Sequence, residues 1–266
     1  MEHETMAADH SYDGMNRSLE RGIAILRAFK PGVADLGNAE IAERTGLAKA
    51  TVSRLTQTLV SGGLLQRDPR RRVYRLAPAV LSLAHAMRLS SPMLSVVAPL
   101  MRAEASRRRV NVGLAAADQD MMVYLESFRY HPRLTHRTVV SGQRIPVELT
   151  SLGRAYLWAL EPSAREREYA AIAKRRPKTY KRLIREVERS FAELDRLGYC
   201  AVGWQPGVVA VATTLPFGAG EPHLMNMSIG SVEPLEEAAH RLAPWLLDLK
   251  RRCLNRLEHA AVSELS

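Results

Sequence analysis

Two cysteines in 266 residues, Cys200 and Cys253, are too few for a disulfide scaffold, and no C-x-x-C pair or Cys/His cluster points to zinc. A chain so poor in cysteine suits a reducing compartment, and the cytoplasm is expected. No run of about 18 apolar residues occurs, which excludes a membrane-spanning helix by the usual length rule. Residues 1–16 carry acids and no basic, apolar signal pattern, so neither a secretion signal nor a membrane partner is expected. The motifs of common enzyme chemistries are missing too: there is no G-x-S-x-G, no G-x-x-x-x-G-K-[ST] and no H-E-x-x-H. Gly218-Ala219-Gly220 is too short to cradle a phosphate and reads as a turn. His131 and His136 alone are a poor metal site, and Cys200 has no histidine beside it, so a buried small hydrophobe is expected there. No cofactor is expected.

What the chain does have is the balance of a folded protein, with 46% hydrophobic and 25% charged residues, and a net charge of +10. At roughly 100–200 residues per domain the length suits two domains. The charge is unevenly placed. Residues 17–78 hold twelve Lys/Arg against five Asp/Glu, about three times the density of positive excess in residues 79–266. A second basic run, Arg165–Arg189, holds ten basic and four acidic residues and reads as a solvated helix face. Residues 1–16 lack periodicity and are expected to form a disordered tail.

Within 17–78 the pattern is specific. Ser18 is placed to N-cap a helix through Leu19, Ile23, Leu26 and Phe29. After Pro31, Gly32 and Gly37, Asn38 is placed to cap a short helix over 39–45. Gly46 then suits the left-handed turn, and a third helix spans 49–61, closed by Gly62-Gly63. Ala42, Gly46 and Val52 have the spacing of a helix-turn-helix: a small residue at the close approach, glycine in the turn, and a β-branched residue pinning the second helix. With Val52, Leu55 and Leu59 inward, Lys49, Ala50, Thr51, Ser53, Arg54 and Gln57 face outward, able to donate to phosphates and read base edges in a major groove. Two short apolar strands then flank Asp68-Pro69, with Arg70, Arg71 and Arg72 at the tip and Arg67 and Arg75 beside it. That is a hairpin wing suited to phosphates or the minor groove. Double-stranded operator DNA is the expected partner of this domain.

The rest reads as an α+β domain with an antiparallel sheet. A helix leaves the wing over 78–88, Pro92 interrupts, and 94–105 is helical, with the boundary near residue 87. Strands are expected at 110–116, 121–127, 137–140, 208–215 and 224–229, and helices at 151–160, 181–197 and 238–257. Thr150 can cap the helix that opens Ser151-Leu152-Gly153. Free N–H groups there favour an anion such as a carboxylate, and Gly153 permits close approach by a ligand or the sheet. Trp204 could stack on a ring-bearing ligand or belong to the core. Asn226 and Ser228, on a strand, either offer polar contacts or face solvent.

The stretches "SLERGIAILRAF", "NAEIAERTGLAKATVSRLTQTLVSGGLLQRDPRRRVYRLAPAVLSLA", "SGQRIPVELTSLGRAYLWAL" and "LDRLGYCAVGWQPGVVAVATTLPF" resemble the IclR family of bacterial transcription regulators, members governing aromatic-acid catabolism above all. The resemblance covers nearly the whole chain after residue 17. It implies a winged helix-turn-helix domain (17–78), a linker helix (79–91) and a GAF-like α/β effector-binding domain (92–266). It implies homodimers or homotetramers that bind operator DNA under a small-molecule effector. Matched residue by residue, it places the effector near Leu134, Arg137, Ser151, Leu152, Val202, Ala210 and Ser228. Arg137 could pair with a carboxylate or be a surface residue of its strand. Where many relatives carry acids after the Gly-Tyr, this chain has Val202-Gly203-Trp204-Gln205, which argues against a pocket acid. The competing classes are a constitutive or architectural DNA binder and, less favoured, an enzyme with a winged-helix appendage. A mixed domain of this size exceeds what dimerisation alone needs.

Overall fold

Apolar spacing and caps set the first unit, residues 1–87, which is distinct from the second, 88–266. The computed structural model describes residues 16–130, 140–218 and 222–263. The tail expected over 1–16 thus lies outside the described residues except for Asn16.

Helix α1 (Arg17–Arg27) is capped by Asn16, whose side-chain oxygen accepts from the N–H groups of Ser18 (3.0 Å) and Leu19 (3.1 Å). The cap is therefore not Ser18, because the Asn16 amide already satisfies the first free donors. A two-residue strand, β1 (Leu36–Gly37), leads into α2 (Asn38–Thr45), then α3 (Lys49–Ser61), β2 (Leu65–Asp68) and β3 (Val73–Leu76). The N-cap of α2 is Gly37, not Asn38. Pairing of Gly37 with Val73 holds it extended, and its N–H donates to Glu40 Oε2 at 2.8 Å. β1 joins the hairpin as a third strand, in the order β1-β3-β2. Ile25, Leu36, Ile41, Val52, Leu55, Leu65 and Tyr74 form the buried core of this unit.

Helix α4 (Ala79–Leu89) follows, and α5 (Pro92–Arg108) opens the body of the second unit. Pro92 starts α5 rather than merely breaking the chain: Ser91 Oγ caps the Leu94 N–H (3.3 Å), and the first helical position needs no N–H. Then come β4 (Asn111–Asp118), β5 (Met121–Phe128), β6 (Arg144–Pro146), α6 (Ser151–Ala159), α7 (Pro162–Arg175), α8 (Tyr180–Leu197), β7 (Cys200–Gln205), β8 (Val208–Leu215), β9 (His223–Gly230) and α9 (Leu235–Ser263). The strands form one antiparallel sheet in the order β6-β5-β4-β9-β8-β7. On one face α5 and α9 bury Val97, Met101, Leu114, Met225, Met227 and Leu246; on the other α6 and α8 cover Ala115, Met122, Tyr124, Cys200, Ala212 and Leu224. The architecture is α+β throughout.

Several expected elements differ. The basic run 165–189 is two helices, because Pro177 interrupts the pattern. Val202 and Trp204 stand on a strand, β7, where none was expected. The strand expected over 137–140 falls almost wholly outside the described residues, and β6 stands downstream of it.

Candidate nucleic-acid interface and effector site

The turn between α2 and α3 has the geometry that its residue types demand. Gly46 adopts φ 70°, and its N–H closes on the Ala42 carbonyl at 2.9 Å. Val52 is fully buried, and so is Thr56, whose hydroxyl donates to the Val52 carbonyl at 2.8 Å. This orientation leaves Lys49, Ala50, Arg54 and Gln57 exposed, with Thr51 and Ser53 half-buried at the edges of the same face. Thr58 adds an exposed hydroxyl, already committed to the Arg54 carbonyl (3.2 Å). The face carries a guanidinium, an ammonium and an amide without a carboxylate, which suits a polyanion and base-edge acceptors.

The wing turn is built by Asp68. Its Oδ1 accepts from the N–H groups of Arg70 (3.0 Å) and Arg71 (3.1 Å). The Arg71 N–H holds the Asp68 carboxyl below its ordinary range. Arg72 closes the turn at φ 54°. The three tip arginines are not equivalent. Arg71 is ion-paired with Asp35, while Arg75 shares Asp35 at 3.5 Å and Asp68 at 3.7 Å. Arg70 and Arg72 meet no carboxylate among the described residues and stay fully available to phosphate.

In the second unit, strand register assembles residues far apart in sequence. Val202 pairs with Ala210, Ala210 with Ser228, and Ser228 with Asn111, so one row crosses β7, β8, β9 and β4. The adjacent row on the same face is Cys200, Ala212, Asn226 and Gly113. Both rows are made of small or polar side chains, apart from Val202. The start of α6 lies over the second row: the Cys200 thiol donates to the Ser151 carbonyl at 3.4 Å. Thr150 caps α6 through Gly153 N–H (3.2 Å), while its own hydroxyl donates to the Pro146 carbonyl (2.9 Å). Ser151 and Leu152 are buried. Among the described residues no acceptor meets their N–H groups, which leaves the positive end of the helix unanswered.

Gly153 has a different partner from either one expected. A Cβ there would overlap the carbonyl of Val147, so its close neighbour is the β6–α6 connection. Trp204 is half-buried and packs with the α6-side cluster, on the face that it shares with Cys200 and Val202 by strand alternation. Leu134 and Arg137 lie outside the described residues.

The IclR helix-turn-helix domain family matches residues 18–69, which hold α1 to the wing turn. The HTH-type transcriptional regulator TsaQ1/TsaQ2 of Comamonas testosteroni is 33% identical over 221 residues, covering 81% of this chain and 78% of that protein. The crystal structure of an IclR family transcriptional regulator from Brucella abortus superposes with a TM-score of 0.82 at 31% identity, covering 93% of this chain and 95% of that one. This chain belongs to the IclR family of transcriptional regulators. The fold is shared by an IclR homolog from Microbacterium hydrocarbonoxydans crystallised with 4-hydroxybenzoate, at TM-score 0.70, 21% identity and 91% and 99% coverage.

As an IclR regulator the protein binds DNA to control transcription and is not an enzyme. Its buried thiols accord with that: burial pushes both Cys200 and Cys253 up to about 12, far from a reactive thiolate. No single helix among the described residues is long and apolar enough to cross a membrane.

Gly113 and Tyr124 on this candidate face carry no signal in the sequence that singles them out, and Asn226 was open between a polar contact and solvent. Asn226 is buried and its Nδ2 donates to the Tyr124 hydroxyl at 3.3 Å; both crowd over Gly113, where any side chain would collide with them. Burial raises the Tyr124 hydroxyl to about 12, so it stays protonated and keeps a proton to donate. The available signal was the alternation of Ala115, Gly113 and Asn111 on β4.

Proposed function

We propose that this IclR regulator reads an operator through Lys49, Ala50, Thr51, Ser53, Arg54 and Gln57 of α3. Arg70, Arg71 and Arg72 of the wing hold the adjacent backbone. A small carboxylic or aromatic acid, held in the second unit, changes that affinity. The observation that carries the reading is the Val202–Ala210–Ser228 row beside the start of α6, where the Ser151 and Leu152 N–H groups meet no acceptor among the described residues. The helix end favours a carboxylate, the small side chains leave width for a ring, and Ser228 and Trp204 supply a polar and a flat contact. The 4-hydroxybenzoate held by the Microbacterium protein of the same fold supports that ligand class.

A homodimer is the working form in this reading, acting in the cytoplasm, where the operator lies. Leu19 and Ile23 on α1 and Leu81 and Leu83 on α4 are exposed, an apolar surface that suits a second copy. Two recognition helices would then enter successive major grooves about 10 base pairs apart. Division into a DNA-binding domain (17–78), a linker helix (79–91) and an effector domain (92–266) completes the proposal. The effector acts by unequal affinity for the two DNA-binding states.

Operator DNA selected from a random duplex pool tests both halves. Arg54→Ala costs about 1–3 kcal/mol on the selected site and little on a scrambled one. An equal loss on both would make Arg54 a phosphate contact only. For the effector half, 4-hydroxybenzoate and small aliphatic acids are titrated against the same complex. The parent protein's operator affinity shifts, whereas Ala210→Leu, filling the row, binds the operator without that shift. A variant that still responds removes the row from the site.

A further inference from the structure

Helix α8 carries a single-sign surface that neither the operator contacts nor the effector site uses. Leu183, Val187, Ser190 and Leu194 form its buried stripe. At 100° per residue, Lys181, Arg182, Arg185, Arg189 and Arg196 fall within one arc of about 100° on the opposite side, sharing it only with Ala192. All five are exposed.

Glu188 is exposed about 20° beyond the Lys181 edge of that arc, and the other three carboxylates of α8 stand off it and are turned to other work. Glu186 accepts from Arg154 at 3.0 Å, Glu193 from the Ala201 N–H at 3.2 Å, and Asp195 from the Trp158 indole at 2.8 Å. Arg182 reaches Glu186 only at 3.8 Å. Among the described residues no carboxylate pairs with Lys181, Arg185, Arg189 or Arg196. Lys181/Arg185 and Arg185/Arg189 are like charges at i,i+4, which destabilises a helix in water. An ordinary solvated face intersperses both signs and avoids this. The arc therefore gains most when a polyanion lies over it.

We propose that this face of α8 is a second, sequence-independent contact for duplex DNA, engaging phosphates outside the bases read by α3. The cations extend over about 22 Å of helix axis, long enough to follow a strand of several phosphates. Duplex DNA is favoured over an acidic protein because the chain already binds DNA and a row of unpaired cations along one helix suits a strand of phosphates.

The test uses the full-length protein and a random-sequence duplex of about 60 base pairs, read by fluorescence anisotropy over a salt series. Lys181→Gln, Arg185→Gln, Arg189→Gln and Arg196→Gln are combined in one variant, which keeps helix-forming residues on the exposed face. Each lost phosphate contact lowers the slope of log affinity against log salt by about 0.9, so the slope falls by about two to four. Affinity at low salt falls roughly tenfold or more with it. A slope equal to the parent's overturns the proposal. The Arg/Lys-exchanged variant (Lys181→Arg, Arg185→Lys, Arg189→Lys, Arg196→Lys) keeps the steep slope; if it loses binding as the Gln variant does, the effect is structural and the proposal fails. An unchanged DNA slope with lost capture of a poly-glutamate peptide assigns the face to an acidic protein instead. Discrimination by Arg54 is read on matched against scrambled sites, so failure here leaves the operator reading standing.

Discussion

Gly153→Ala destabilises the effector domain by about 3 kcal/mol, although alanine is the better helix former by about 1 kcal/mol. The new methyl would overlap the backbone carbonyl of Val147, and backbone cannot rotate aside as a side chain can. Val147 is itself fully buried, and the Pro146 carbonyl is tied to Thr150. Relief therefore requires α6 to lift from the β6–α6 connection, which also moves the Ser151 carbonyl off the Cys200 thiol. The readout is clean because all three tryptophans, Trp158, Trp204 and Trp245, lie in the second unit. Their fluorescence reports that unit's unfolding alone, whatever the DNA-binding unit does. A melting temperature lower by roughly 6–12 °C is expected for a domain of this size. A variant that melts with the parent would show that the connection yields freely. Operator binding without effector is expected to survive at temperatures where the domain stays folded.

Local chemistry made the DNA-reading half legible in the sequence. Gly46, Val52 and Arg54 lie within nine residues, and a capped turn followed by a 3.6-residue period determines which of them faces out. The wing was legible for the same reason, as two short strands about one turn. What escaped was anything that exists only by pairing. β1 is two residues long and is a strand solely because β3 runs beside it. The ion pair of Arg71 with Asp35 spans 36 positions and is invisible to a motif. In the second unit the family likeness supplied Val202, Ala210 and Ser228, but only register shows that they form one row. The Tyr124–Asn226 hydrogen bond spans 102 positions, and the register shift of β7 between Val202 and Gln205 has no composition signal. Helix α1 shows the opposite error: Leu19 and Ile23 fit an inward stripe by period, yet both are exposed, while Gly22 and Ile25 are buried.

The second large effect concerns Glu104, whose side chain is 1% exposed on α5. It accepts from Arg107 at 2.7 Å, Arg108 at 3.2 Å and Arg252 of α9 at 2.5 Å, and so ties together the two helices behind the sheet. Arg108 also stacks over Trp245 at 4.6 Å. Glu104→Ala removes the one carboxylate that these three guanidinium groups share. Breaking a buried pair costs about 3–5 kcal/mol. The lower end is expected here, because the arginines are partly exposed and water can reach them. The pH dependence separates charge from packing. Burial pushes the Glu104 carboxyl up, but the hydrogen bonds from Arg107, Arg252 and Arg108 outweigh it, and the net shift is downward. A carboxyl lowered in the folded state binds fewer protons there than when unfolded. Its stabilisation is therefore complete above the ordinary carboxylate range and drains away as pH falls through the lowered value. Urea midpoints followed by tryptophan fluorescence should thus converge for the parent and Glu104→Gln on acidification and diverge toward neutrality. If the two midpoints instead coincide from neutral to strongly acid pH, the glutamate contributes by its volume and not its charge.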